Sequence, residues 1–218
     1  MHSNRPKITL TGLDEKTNLS EVSSIKAELA FLFSAKGPAS GLRYPRREWI
    51  VDAVKVIPNA AVHICGRGAR QLLMARDLDD ILSTVARIQI NGHVSNEELV
   101  YLERLYPNKE LIVQYYPGNA PLILADNRAS FLVDSSGGTG VLPDEWLRPV
   151  TPKSVGFAGG LSPSNMLAEL PKILKVAEGN WWVDMESRLR ENDVFSLNLA
   201  RDAVNVFHAV LDSVSSPT

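Results

Sequence analysis

The chain has 218 residues, 44% hydrophobic and 22% charged, the make-up of a globular protein with a sizeable core and not of a disordered polymer. One α/β domain fits that length, as do two small domains of roughly 100 residues each. With 23 Lys plus Arg against 25 Asp plus Glu, the net charge of -2 gives no general attraction for nucleic acid, and one cysteine, Cys65, rules out an internal disulfide and a multi-cysteine metal site.

From the N-terminus, the first apolar stretch, Ile8 to Leu13, is too short and too polar for a signal peptide or membrane span, which points to the cytoplasm. Short β-rich runs then alternate with segments of helical periodicity, as a parallel sheet with crossover helices requires. Strands are expected near Lys7 to Thr11, Leu29 to Ser34, Ala61 to Cys65, Arg87 to Asn91, Leu111 to Gln114, Ser130 to Asp134, Ser154 to Ala158 and Trp181 to Met185. Helices are expected over Leu19 to Lys26, Arg46 to Val56, Gly68 to Met74, Asn96 to Leu105, Pro163 to Val176 and Leu197 to Val214. Two links break the pattern. Tyr115 to Ala129 carries Pro117, Gly118 and Pro121, so its helix is short or missing; Ser135 to Lys153 is Gly-rich and Pro-interrupted, a long loop with at most one helical turn. The tail from Ser213 to Thr218 is expected to fray. Eight strands in this order predict a single (β/α)8 TIM barrel spanning residues 1–218.

Residues two apart on a strand share a face, and in a closed barrel one face is the interior. Val62 and Ile64 alternate with His63 and Cys65, and Ile88 and Ile90 with Gln89 and Asn91. The apolar sets face the helices, so His63, Cys65, Gln89, Asn91, Gln114 and Asp134 converge at the barrel mouth, where barrel enzymes work. Gln89, Asn91 and Gln114 serve equally well as a polar core layer that satisfies itself. His63 and Cys65 lack a third orienting group for nucleophilic catalysis. The run from Cys65 to Gly68 lacks the ending of a phosphate loop and reads as a tight strand-to-helix turn.

Several segments, in order, resemble phosphoribosylanthranilate isomerase: Lys7-Ile-Thr-Leu-Thr-Gly-Leu, Arg43-Tyr-Pro, Asp134-Ser-Ser-Gly-Gly-Thr-Gly, Ala158-Gly-Gly-Leu-Ser-Pro-Ser-Asn and, in part, Val183-Asp-Met-Glu-Ser. The stretch from about Val62 to Gln114 matches least. The resemblance implies Amadori-type isomerisation of a phosphorylated sugar derivative, a step of tryptophan biosynthesis. It makes Asp134 the general acid on the sugar ring oxygen and places Gly137 and Gly138 in the loop covering the substrate. Gly159, Gly160 and Ser162, with Ser187 after strand eight, then bind phosphate, as a helix N-terminus can. Ser162 before Pro163 also reads as a helix cap. Arg43 is implied to hold the carboxylated ring, with His63, Gln89, Asn91 and Gln114 completing the substrate pocket.

Two positions depart from the family. Thr11 stands where the family has its strand-one cysteine, the general base, and threonine is no base at neutral pH; Asp14, Cys65 and Glu186 are the candidates to replace it. Glu186 stands where small residues face phosphate, so it is neutralised by Arg188 or Arg190, or it marks a changed substrate or a relocated base. The alternative function is a barrel of the same ancestry with another reaction or a ligand-binding role alone. The expected partner is a small phosphosugar, with no cofactor, metal, nucleic acid or membrane, in a monomer or homodimer.

Overall fold

The computed structural model describes residues 6–134 and 136–215. Eight strands, β1 (Lys7–Thr11), β2 (Glu28–Ser34), β3 (Ala61–Cys65), β4 (Arg87–Ile90), β5 (Glu110–Tyr115), β6 (Ser130–Asp134), β7 (Val155–Ala158) and β8 (Trp181–Met185), pair in parallel and close into a barrel, β8 against β1. The helices are α1 (Leu19–Val22), α2 (Arg47–Val56), α3 (Arg67–Met74), α4 (Asp79–Leu82), α5 (Asn96–Leu105), α6 (Met166–Leu174) and α7 (Leu197–Ser215). None of the described helices is long and apolar enough to cross a membrane.

The main apolar core lies between sheet and helices, built from outward strand residues such as Ile8, Phe31, Val62, Ile88, Val113, Phe131 and Val183. The barrel interior holds a separate small cluster of Ile112, Leu132 and Trp182. Below it, Arg87 binds Glu28 at 2.6 Å and Glu110 at 3.2 Å, and its guanidinium lies over the Trp182 ring at 4.2 Å from the centroid. A buried ion pair stands only when its remaining hydrogen bonds are also met. Here Glu28 accepts from Thr9 and Glu110 from Ser130, which extends the floor across five strands.

The helices differ from expectation where local chemistry competes. α1 stops at Val22 instead of Lys26, because the Ser23 and Ser24 hydroxyls bond the carbonyls of Ser20 and Glu21 and draw the chain out of the helix. The four-residue α4 was not anticipated; a single turn is too short to show periodicity. α6 begins at Met166 instead of Pro163. Ahead of it, Ser162 and Asn165 bond each other reciprocally, backbone N–H to side-chain oxygen, so Ser162 closes a turn and Asn165 occupies the cap position.

The β5–β6 link carries a 3-10 stretch, Pro117–Ile123, and the β6–β7 link has no helix among its described residues. Trp146 covers the sheet there in place of a helix, its ring edge-on to Phe157 and its Nε1 donating to Glu169 of α6 at 2.9 Å.

Trp182 fits across the barrel only because Gly156 stands opposite: a Cβ at that position would lie 2.2 Å from the indole ring. Gly156→Ala is therefore expected to destabilise the chain by about 2–3 kcal/mol in urea denaturation, as overpacking does. The penalty should largely vanish when the same change is made in a Trp182→Leu background.

Candidate functional site

The C-terminal ends of the strands surround a cavity of about 80 Å³ lined by Thr11, His63, Gln89, Asn91, Gln114, Asp134, Asp184 and Glu186, with Gly138, Gly140, Gly159, Gly160 and Ser187 at its rim. The period of two explains the set: Asp184 stands two residues above Trp182 on the inner face of β8, and Thr11 two above Thr9 on β1. The Thr11 hydroxyl donates to Asp184 Oδ1 at 2.8 Å. His63 Nε2 lies 3.6 Å from Asp184 Oδ2, an oxygen with no hydrogen-bond partner, and Gln89 Nε2 is 3.2 Å from His63 Nδ1. The amides continue around the wall. Gln89 donates to Asn91, Asn91 to the Cys65 sulfur, and Gln114 to Asp134 Oδ2 at 3.4 Å. Asp134 Oδ1 accepts from both the backbone N–H and the hydroxyl of Ser136, at 3.1 and 2.6 Å.

Burial dominates the electrostatics. It pushes the Asp184 carboxyl well above its usual range; Glu28 and Glu186 add to the effect, while the Thr11 hydroxyl and Arg87 oppose it. Burial also drives His63 down to about 3, with Arg87 contributing, so the imidazole is neutral at physiological pH. The Cys65 thiol is pushed up to about 12, first by burial and then by Glu186. A cysteine that keeps its proton is inert as base or nucleophile.

The sequence-derived residues divide into groups. Thr11, His63, Gln89, Asn91, Gln114, Asp134, Gly138, Gly159, Gly160, Glu186 and Ser187 come together at the cavity. Cys65 sits behind it, against Asn91, and Asp14 is committed elsewhere, to Arg190 at 2.7 Å and to the Phe195 N–H at 2.9 Å. Glu186 is neutralised by Arg43, at 2.8 Å, instead of by Arg188 or Arg190. Ser162 lines an adjoining surface cavity with Gly160, Ser187 and Arg188, and Gly137 lies outside both. Asp184, penultimate in β8 and part of the Val183-Asp-Met-Glu-Ser segment, is the site residue that the sequence reading leaves out of the catalytic set; its period with Trp182 is the signal that places it inside.

The loop after β6 lies directly on the glycine pair after β7. A Cβ on Gly160, whose φ is +61°, would stand 2.6 Å from the Leu142 nitrogen and 2.9 Å from the Gly140 carbonyl oxygen. Only glycine fits there. Ligand sites usually span about 300–1,000 Å³, so this cavity of about 80 Å³ is small while that loop lies over it.

His63 makes a test of its own. Its folded value, about 3, lies below the ordinary 6.5, so the unfolded chain binds a proton that the buried imidazole refuses, and this residue's contribution to stability, present above pH 6.5, is lost as pH falls toward 3. Asp184, raised above its ordinary 3.8, acts in the opposite sense: its contribution is present at low pH and is lost as pH rises through the folded value. In Asp184→Asn only the histidine remains. Urea denaturation of that variant should show stability dropping by about 1.5 kcal/mol from pH 6.5 to pH 5.

No family model and no curated protein sequence matches the chain. Solved structures do. Phosphoribosylanthranilate isomerase from Thermus thermophilus superposes with a TM-score of 0.67 at 18% identity, over 94% of this chain and 99% of that one. TrpF from Jonesia denitrificans gives 0.69 at 17% identity, over 94% and 98%. The barrel of orotidine 5'-monophosphate decarboxylase from Methanocaldococcus jannaschii gives 0.54 at 12% identity, over 92% and 98%. At these identities the likeness is one of fold: the chain is a single (β/α)8 barrel whose structural neighbours include phosphoribosylanthranilate isomerases.

Proposed function

We propose that the chain is a cytoplasmic phosphosugar isomerase of the phosphoribosylanthranilate type, working on a small substrate as a monomer or homodimer. The carrying observation is that buried carboxyls on β6 and β8, Asp134 and Asp184, share one cavity with the glycine pair that follows the intervening strand β7. Gly159 and Gly160 offer close backbone approach to a phosphate once the β6 loop lifts. A sugar anchored there lies between the two carboxyls, because Ala158 and Gly159 put little side chain in the way. Asp134 then protonates the ring oxygen and opens the ring to the imine.

The test is fluorescence-monitored turnover of freshly prepared phosphoribosylanthranilate. Wild type is expected to isomerise it, and Asp134→Asn to lower kcat by about 10²–10⁴, the usual share of a positioned acid. An unchanged rate in that variant would remove Asp134 from the mechanism.

One observation favours a second reading, in which the same barrel serves a ligand without a carboxylate. Arg43, the residue implied to hold the carboxylated ring, is already paired with Glu186. A ligand carboxylate has to displace Glu186 or suffer repulsion of several kcal/mol at an intermediate dielectric and about 4 Å. Glu186→Gln separates the readings. A KM for phosphoribosylanthranilate about tenfold lower in the variant supports the carboxylated substrate, and an unchanged KM supports the other ligand.

A further inference from the structure

Amadori isomerisation needs a group that removes the proton on C2 after ring opening, and the position implied by the resemblance holds Thr11, whose hydroxyl cannot ionise at neutral pH. The groups around the cavity that carry a basic atom are few, and most are occupied. Cys65 keeps its proton up to about 12 and does not line the cavity. Asp14 is held by Arg190 and Phe195, and Glu186 by Arg43. His63 has Gln89 on Nδ1 and is buried, driven down to about 3. Asp134 is taken by the ring-opening step. Asp184 is the exception: it lines the cavity, and its Oδ2 has no hydrogen-bond partner.

We propose that Asp184 is the general base of the isomerisation and that Thr11 is its positioning residue, the hydroxyl holding Oδ1 at 2.8 Å and leaving Oδ2, 3.6 Å from the neutral His63 imidazole, to take the proton. This rests on the isomerase reading above. In the step, Asp134 gives its proton to the ring oxygen and the C1–O bond breaks, leaving the protonated imine. Asp184 removes the C2 proton; the C2–H pair becomes the C1=C2 bond and the imine π pair returns to nitrogen. The enaminol then ketonises, C1 taking the proton from Asp184 and the C2 hydroxyl returning one to Asp134, so nothing is gained or lost overall.

The surroundings suit a base. The charged groups acting on Asp184 are Glu28 of β2, Arg87 of β4 and Glu186 beyond β8, with neutral His63 of β3 beside it. Burial with two carboxylates raises its proton affinity, and a stronger base at working pH transfers a proton more readily. The Thr11 hydrogen bond favours the charged form and opposes that rise. Removing the hydroxyl therefore raises the proton affinity further, and the pH below which the base is protonated and idle moves up.

The experiment is steady-state kinetics on phosphoribosylanthranilate from pH 5 to 9 with wild type, Asp184→Asn, Thr11→Val and Thr11→Ser. Expected are a 10²–10⁴-fold fall in kcat for Asp184→Asn with KM within about threefold, an acid limb of kcat/KM displaced to higher pH in Thr11→Val, and its return in Thr11→Ser. A packing role for Thr11 would not move the limb. Wild-type turnover together with an Asp184→Asn kcat within a few fold overturns the base and leaves the isomerase reading standing. Wild-type turnover with an unmoved limb in Thr11→Val overturns the positioning role. No turnover by wild type overturns the isomerase reading and this inference together.

Discussion

A closed eight-stranded barrel must fill its own axis, and here the fill is one indole. Trp182 lies across the interior against Gly156, capped on one side by the Arg87 guanidinium and flanked by Ile112 and Leu132. The arrangement fixes the height of everything above it. With Trp182 inward, the strand period sends Asp184 inward as well, one layer closer to the mouth, and the chain then delivers Glu186 to the rim. The floor is also electrostatic. Arg87 depresses the proton affinity of His63 and lowers that of Asp184, while Glu28 raises the latter, so charges that close the bottom of the barrel act on groups at the top.

The mouth is polar but buried, and its side chains hold one another in place. Gln89 touches His63 and Asn91, Asn91 reaches Cys65, and Gln114 reaches Asp134. Buried amides linked in a chain are held in place, since each loses a partner if it rotates, although the Gln89 oxygen itself has none. In the proposed isomerase that rigidity lets donors and carboxyls act without reorganising when charge develops. It has a cost in stability: burial penalises the charged forms of the Asp184 carboxyl and the His63 imidazole in the native state relative to water.

How much of this could be seen beforehand depends on the range of the interactions. Strand positions were legible because alternation is local: each of the eight expected strands overlaps an observed one, usually within a residue at either end. Helix ends were less so, because Ser23, Ser24 and the Ser162–Asn165 turn compete through side chains that periodicity ignores. The partners of the site residues were least legible. Glu186 was matched to arginines two and four residues away, yet its partner, Arg43, is 143 residues distant. Thr11 and Asp184, 173 residues apart, meet only because the barrel closes β8 onto β1. A local pattern carries no information about that closure.

Closure also decides which strand ends can act on the same space. β1 and β8 are hydrogen-bonded neighbours, with Thr9 opposite Asp184 and Leu10 opposite Met185, so a residue at the end of β1 and one at the end of β8 approach the same space from adjacent strands. The spacing between such strands is about 4.8 Å, within the reach of a carboxylate side chain. A threonine on β1 then keeps a use that alanine or valine would not: its hydroxyl donates to Asp184 Oδ1. In the proposed isomerase, a β1 strand that ends in threonine therefore leaves acid-base chemistry to a carboxyl that the neighbouring strand presents, in surroundings buried enough to make that carboxyl more basic than it would be in water.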